Sequence, residues 1–205
     1  MKTHLNSSIA FFDFDGTITS KDTLAEILKF SKGKFKYYFG LTVLSPAMIA
    51  YKMNFISNQR AKEILLAYFF KGTEIEKFEA MCEEFTEKVL PYLFRKSALQ
   101  EIRTHLQNDT KVVIVSASPE NWVLPWCKKY NLECIATKLE TENGKITGKI
   151  EGHNCYGNEK VKNILKRYNL SHYTKIYAYG DTRGDLPMLS LSTDSFYKPF
   201  KEHAF

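Results

Sequence analysis

Two carboxylates two residues apart, Asp13 and Asp15 in FFDFDGT, close an apolar run near the start of the chain. In an extended strand residues i and i+2 project to the same side, so this pair faces one way while Phe12 and Phe14 face the other. Carboxylates that close repel unless a cation or a shared proton lies between them, and an all-oxygen donor set suits Mg²⁺; a solvated acidic turn is the plain alternative. A second acidic pair, Asp181 and Asp185 in YGDTRGD, is spaced to share a helix face if a helix begins there, although Asp181 also suits a helix N-cap. Ser116 and Ser118 in VSAS present hydroxyls where the N–H groups of a following helix can bind a phosphoryl oxygen, or where a turn needs capping. Lys160 in GNEKVKNILKRY falls in the first turn of a helix capped near Asn158, off the stripe of Val161, Ile164, Leu165 and Tyr168. A cation there opposes the helix dipole, so it either neutralises an anion or is simply solvated.

These residues need a scaffold that gathers them. SIAFF, KVVIVSAS (Lys111 to Ser118) and KIYAYGD (Lys175 to Asp181) are short β-branched or aromatic runs with polar ends, the pattern of buried parallel strands. Leu99, Ile102 and Leu106 recur at helical spacing before the second, as does the stripe containing Ile164 before the third. This alternation predicts an α/β fold with a Rossmann-like parallel sheet, whose ligands bind beyond the carboxyl ends of the strands. Residues 20 to 90 break the alternation with the helical patterns TLAEILKF, AKEILLAYFF and EIEKFEAMCEEFTEKVL, and read as a helical insertion after strand one, with Pro91 as the return point. A small β-hairpin insertion is predicted in CIATKLETENGKITGKIEG, around Asn143-Gly144.

Taken in order, DFDGT, VSAS, Lys160 and GDTRGD resemble the four motifs of the haloacid dehalogenase superfamily, over about residues 9 to 190. Helices inserted after the first motif place the resemblance nearest its subfamily IB, with phosphoserine phosphatase and phosphatidylglycerophosphatase C. The resemblance implies a core of residues 1–19 and 91–205 and a helical cap of residues 20–90. It implies a phosphomonoester hydrolase in which Asp13 is the nucleophile that forms an aspartyl phosphate and Asp15 the general acid and base. Mg²⁺ would be held by Asp13, the backbone carbonyl of Asp15 and Asp181, supported by Asp185. Ser116 and Lys160 would bind the transferring oxygens, and Arg60 would reach the substrate from the cap. Where phosphoserine phosphatases commonly read D-x-D-S-T and S-G-G-F, this chain has DFDGT and VSASPEN, which points away from phosphoserine itself. A phosphoacceptor signalling module or a non-catalytic relative is the alternative, although a receiver's phosphorylated aspartate ends a middle strand, which here ends in serine.

Composition limits the partners. At 205 residues, 44% hydrophobic and 25% charged, the chain suits a folded domain with an insertion. The four cysteines form no C-x-x-C pair and follow no apolar leader, so reduced thiols and a cytoplasmic location are expected. FGLTVLSPAMIAY, residues 39 to 51, is shorter than the roughly 20 apolar residues a membrane-spanning helix needs, and Pro46 interrupts it. No nucleic-acid partner is expected, the net charge of +6 constraining partners only loosely. Residues 21 to 62 carry eight basic against two acidic residues, a net +6 equal to that of the whole chain. Among them lie Phe30, Phe35, Tyr37, Tyr38, Phe39, Tyr51 and Phe55. This mixture suits the surface of an anionic membrane, so the substrate is either a small phosphometabolite or a lipid phosphate; aromatics so spaced also serve as the core of a helical cap.

Overall fold

The computed structural model describes residues 7–200. The run Ser8–Phe12 forms β1, and the other strands are β2 (Lys111–Pro119), β3 (Glu133–Thr137), β4 (Leu139–Glu142), β5 (Lys145–Ile150), β6 (Lys175–Gly180) and β7 (Asp194–Tyr197). Among these residues, five strands pair in parallel in the order β3-β2-β1-β6-β7, so β1 is central. Its register sets Phe12 beside Ile114 on one neighbour and Tyr179 on the other. Strand alternation divides its side chains between two cores: Ala10 and Phe12 belong to one, joined by Phe14 of the following turn, and Ile9 and Phe11 to the other. Phe11, Phe12 and Phe14 are fully buried, each contributing about 1.5–3 kcal/mol of transfer free energy that helps offset the burial of the carboxylate between them.

Helices cover both faces of the sheet. Ala98 and Ile102 of α6 (Lys96–Gln107) and Trp122, Val123 and Trp126 of α7 (Glu120–Lys129) pack on the Phe12 side. Ile164 of α8 (Asn158–Arg167) and Met188 and Leu189 of α9 (Leu186–Leu189) pack on the Phe11 side. Between β1 and β2 run α1 (Thr23–Lys32), α2 (Lys34–Val43), α3 (Ser45–Lys52), α4 (Asn58–Phe70) and α5 (Ile75–Lys88). Ile27, Leu28, Leu66, Phe70, Phe78, Cys82 and Phe85 from this segment are buried. The chain leads into it and out of it side by side: Thr19 bridges Phe94, Ser20 N donates to Leu93 O at 2.7 Å, and Arg95 N donates to Ile18 O at 2.8 Å. Pro91 lies in the tight turn Leu90–Tyr92 just before that return.

The α/β class and the three strands read from the sequence are present, and Asn143 and Gly144, with φ of 49° and 72°, make the expected hairpin turn between β4 and β5. Two strands lie outside those read from the sequence. Cys134 does not begin the hairpin insertion; it lies in β3, paired with Ile114 of β2 in the main sheet. β7 is a four-residue edge strand with little buried surface, so no alternation marks it. α2 and α3 also escape periodicity, because most of their apolar side chains do not face a core, and Pro46 sits in the first turn of α3. All four cysteines are free thiols. No helix among the described residues is long and apolar enough to cross a membrane.

Candidate active site

Beyond Phe12 the chain leaves the sheet through a wide turn, Phe14–Ile18. Asp13 N donates to Tyr179 O at 2.9 Å, which fixes the first carboxylate at the carboxyl end of the central strand. Asp13 is 6% exposed. Its Oδ2 accepts from Thr17 Oγ1 at 3.0 Å and its Oδ1 from Lys160 Nζ at 2.6 Å. The same ammonium donates to Asp185 Oδ1 at 2.7 Å and to Val115 O at 2.8 Å, with Lys160 only 1% exposed. Burial works against the charged Lys160, but Asp13 and Asp185 outweigh it and raise its pKa. Burial likewise opposes an ionised Asp185, yet Lys160 and Thr182 hold its carboxyl low. Burial prevails at Asp13, which is pushed up to about 7 despite Lys160, with Asp185 and Asp15 adding to the rise.

Asp15 is held differently. Its Oδ1 accepts from Thr23 N at 2.7 Å and Thr23 Oγ1 at 2.6 Å, and its Oδ2 from Ser118 Oγ at 2.7 Å. Trp122 Nε1 in turn donates to Thr23 Oγ1 at 2.9 Å. Two carboxylates that leave one strand end together are thereby separated: one is tied to a buried ammonium, the other to hydroxyls at the start of α1 and the end of β2. Both line a cavity of about 390 Å³, along with Lys160, Asp181, Asp185, Ser118, Lys62 and Arg95.

A family model of haloacid dehalogenase-like hydrolases matches residues 10–190. The chain belongs to this family. Protein CicA of Caulobacter vibrioides is 33% identical to it over 192 residues, covering 93% of this chain and 85% of the relative. A Bordetella pertussis Tohama I protein of unknown function superposes with a TM-score of 0.80 at 23% identity, over 93% of this chain and 89% of that one. A substrate-bound phosphoserine phosphatase superposes with a TM-score of 0.68 at 18% identity, over 94% and 86%. At such identities the two structures establish the shared fold.

Within this haloacid dehalogenase-like hydrolase, Asp13, Asp181 and Asp185 are all buried, and one carboxylate oxygen from each lies within 4.8 Å of the others. The hard carboxylate oxygens of Asp13 and Asp181, with Asp185 beside them, fit a divalent cation such as Mg²⁺. The turn leaves room for this arrangement. Gly16 has a φ of 82°, and a Cβ there would come within 2.6 Å of Asp181 Oδ2, so a side chain would both strain the backbone and fill the space beside that carboxylate. Asp185 already uses both oxygens, since Oδ2 accepts from Thr182 N at 2.9 Å, Thr182 Oγ1 at 2.8 Å and Asp181 N at 3.2 Å. It is built as a brace for its neighbours.

Three sequence expectations change. Lys160 is not off the buried stripe of α8; Lys160, Ile164 and Tyr168, four residues apart, are the buried face, and Leu165 is exposed. Arg60 does not reach the cavity: its side chain is 61% exposed and pairs with Glu63 at 3.6 Å. Ser57 caps α4, and residues two apart on a helix point to nearly opposite sides, so the cation that α4 turns into the cavity is Lys62. Its Nζ donates to Ala117 O at 2.7 Å and Asn154 Oδ1 at 3.1 Å. Burial pushes its pKa down, with Asp15 and Asp22 opposing. Ser116 is fully buried; its Oγ accepts from Ser118 N at 2.9 Å and lies 3.5 Å from Asp15 Oδ2, while Ala117 and Ser118 form the cavity wall. Thr23, Trp122 and Lys62 had no sequence signal as site residues beyond the helix start at Asp22, whose carboxylate caps Leu24 N and Ala25 N.

Proposed function

We propose that this hydrolase is a Mg²⁺-dependent phosphomonoester phosphatase acting through an aspartyl phosphate on Asp13. The observation that carries the reading is the division of one D-x-D pair into a lysine-bound carboxylate and a hydroxyl-bound carboxylate facing the same cavity. Asp13 attacks phosphorus, forming its acyl-phosphate bond as the bond to the leaving oxygen breaks, and Asp15 passes its proton to that oxygen. Asp15, now ionised, takes a proton from water as the water oxygen attacks phosphorus, which frees Asp13 and inorganic phosphate. Thr23 and Ser118 orient Asp15 for both transfers. Lys160 binds the transferring oxygens and offsets their charge, while the buried Ser116 supports Ser118 at the cavity wall. Asp13, the Asp15 backbone carbonyl and Asp181 would hold the Mg²⁺, braced by Asp185; when bound, the ion neutralises charge on the phosphoryl group.

Residues 20–90 serve as a helical cap over a core of residues 7–19 and 91–200, a reading supported by the side-by-side backbone at Thr19 and Phe94; residues 1–6 and 201–205, expected from the sequence to belong to the core, lie outside the described residues. Lys62 and Asn58 of α4 reach the cavity from that cap, and Lys21 and Arg95 line it where the chain enters and leaves the helices. A wall that sets Lys21, Lys62, Arg95 and Asn58 beside Asp22 and Leu24 suits a phosphomonoester whose leaving group is hydrophilic at the reacting end, whether a small phosphometabolite or a lipid headgroup. The test is phosphate release from a panel of phosphometabolites and lipid phosphates, with EDTA added and Mg²⁺ then restored. Metal-dependent turnover is expected. One phosphoryl transfer per chain with no further release would make the chain a phosphoacceptor module, and no transfer at all a non-catalytic relative.

A further inference from the structure

Of the aromatics between residues 30 and 55, Phe30 and Tyr37 pack inward, but Phe35, Tyr38, Phe39, Tyr51 and Phe55 are exposed, Phe35 by 84% and Phe55 by 74%. Along α2, Phe35, Phe39 and Val43 recur every four residues with Tyr38 beside them, so this helix turns an apolar stripe to solvent. α3 has no buried residue although its sequence is SPAMIAYK, and Ile49, Tyr51 and Met53 are exposed along it and just beyond. A surface this apolar marks an interaction site.

Its charge selects the partner. No carboxylate occurs from residue 27 to residue 62; of the cations in that stretch Lys29 pairs with Glu26, Arg60 with Glu63, and Lys62 lines the catalytic cavity, which leaves Lys32, Lys34, Lys36 and Lys52 on this side. Lys34, Lys36 and Lys52 are exposed beside the aromatics. A groove of about 390 Å³ on this face is lined by Lys32, Lys36, Phe39, Tyr68 and Phe69, two ammonium groups around an aromatic floor. A second copy of the chain docking by two-fold symmetry would set these exposed lysines against themselves, like charge on like. We infer that the α2–α3 face docks on an anionic phospholipid bilayer, its aromatics entering the headgroup region while the lysines meet lipid phosphates.

The face reaches the catalytic cavity. Asn58, which lines that cavity, donates to Tyr51 Oη at 3.0 Å, so docking sets the cavity wall beside the bilayer surface. Docking needs no turnover; that the substrate is a lipid-borne phosphomonoester rests on the phosphatase reading.

The experiment is co-sedimentation of the whole chain, without substrate, with vesicles of phosphatidylcholine alone or containing one-third phosphatidylglycerol. Binding to the anionic vesicles alone, weakened by salt, is expected. Lys34→Glu with Lys36→Glu should lower partitioning by about thirtyfold or more, because each lysine near an anionic surface contributes about a fivefold factor. Phe35→Ser with Phe39→Ser should lower it at low salt too, with phosphate release from a soluble ester and the unfolding midpoint unchanged in both variants. Failure of the wild-type chain to bind anionic vesicles overturns the inference whatever the enzymatic result. So does vesicle binding that neither variant weakens, or a dimer in solution that the serine variant dissolves.

Discussion

Lys160→Met removes the one ammonium that joins Asp13 to Asp185 and keeps an unbranched, apolar side chain of similar length. The two buried carboxylates are then left uncompensated, together with the Val115 carbonyl. Breaking a buried ion pair from one side costs about 3–5 kcal/mol, and in a chain of 205 residues each kcal/mol lowers the unfolding midpoint by about 2–4 °C. Metal-free protein at pH 8 should therefore melt about 6–20 °C lower than wild type. The loss should depend on pH in a definite direction. Asp13 sits at about 7 in the folded chain, above the ordinary carboxyl value of 3.8, so between those values the folded state holds a proton that the unfolded state has released. Stability attributable to Asp13 thus falls as pH rises through that window. Asp185, held low by Lys160, works in the opposite sense, but only as pH falls below the ordinary carboxyl range of about 4. Without Lys160 the Asp13 value moves higher still, so the variant's deficit should shrink as pH falls from 8 to 5. Differential scanning calorimetry with EDTA present measures this. A midpoint within about 2 °C of wild type at pH 8, or a deficit that stays constant down to pH 5, would refute the reasoning.

Other substitutions test the remaining parts of the site. Asp13→Asn is isosteric and should reduce turnover by at least about a thousandfold with no loss of fold; turnover within about tenfold of wild type would remove Asp13 as nucleophile. Gly16→Ala should raise the Mg²⁺ concentration needed for half-maximal activity and lower stability by about 1–2 kcal/mol, since a Cβ there meets the Asp181 carboxylate. An unchanged metal requirement, read by titration against phosphate release, would count against Asp181 as a ligand. Lys62→Met should raise KM for the preferred ester by about tenfold or more, whereas Arg60→Ala, exposed and turned away, should leave it unaltered; the reverse ranking would mean that α4 rotates on substrate binding.

Much of this architecture is written in local patterns. β1, β2 and β6 announce themselves because parallel strands buried on both faces must be continuously apolar, and each ends in the polar residues that line or support the cavity. The spacing of Asp13 and Asp15, and of Asp181 and Asp185, is equally local: strand and turn geometry alone places them together. Partners separated by many residues are not legible in this way. That Thr23, eight positions on, and Ser118, more than a hundred positions on, clasp Asp15 depends on how the start of α1 meets the carboxyl end of β2. Lys160 looked misplaced as a helix-dipole cation because periodicity sees only which residues are apolar; tertiary packing made it the buried counter-ion of Asp13 and Asp185. The choice of Lys62 over Arg60 turned on helix phase, which the cap at Ser57 and the packing of α4 set. Aromatic spacing in α2 could not say whether those rings made a core or a surface, since one periodicity serves either; only the position of α2 relative to α1 and α4 left Phe35, Phe39 and Val43 facing out.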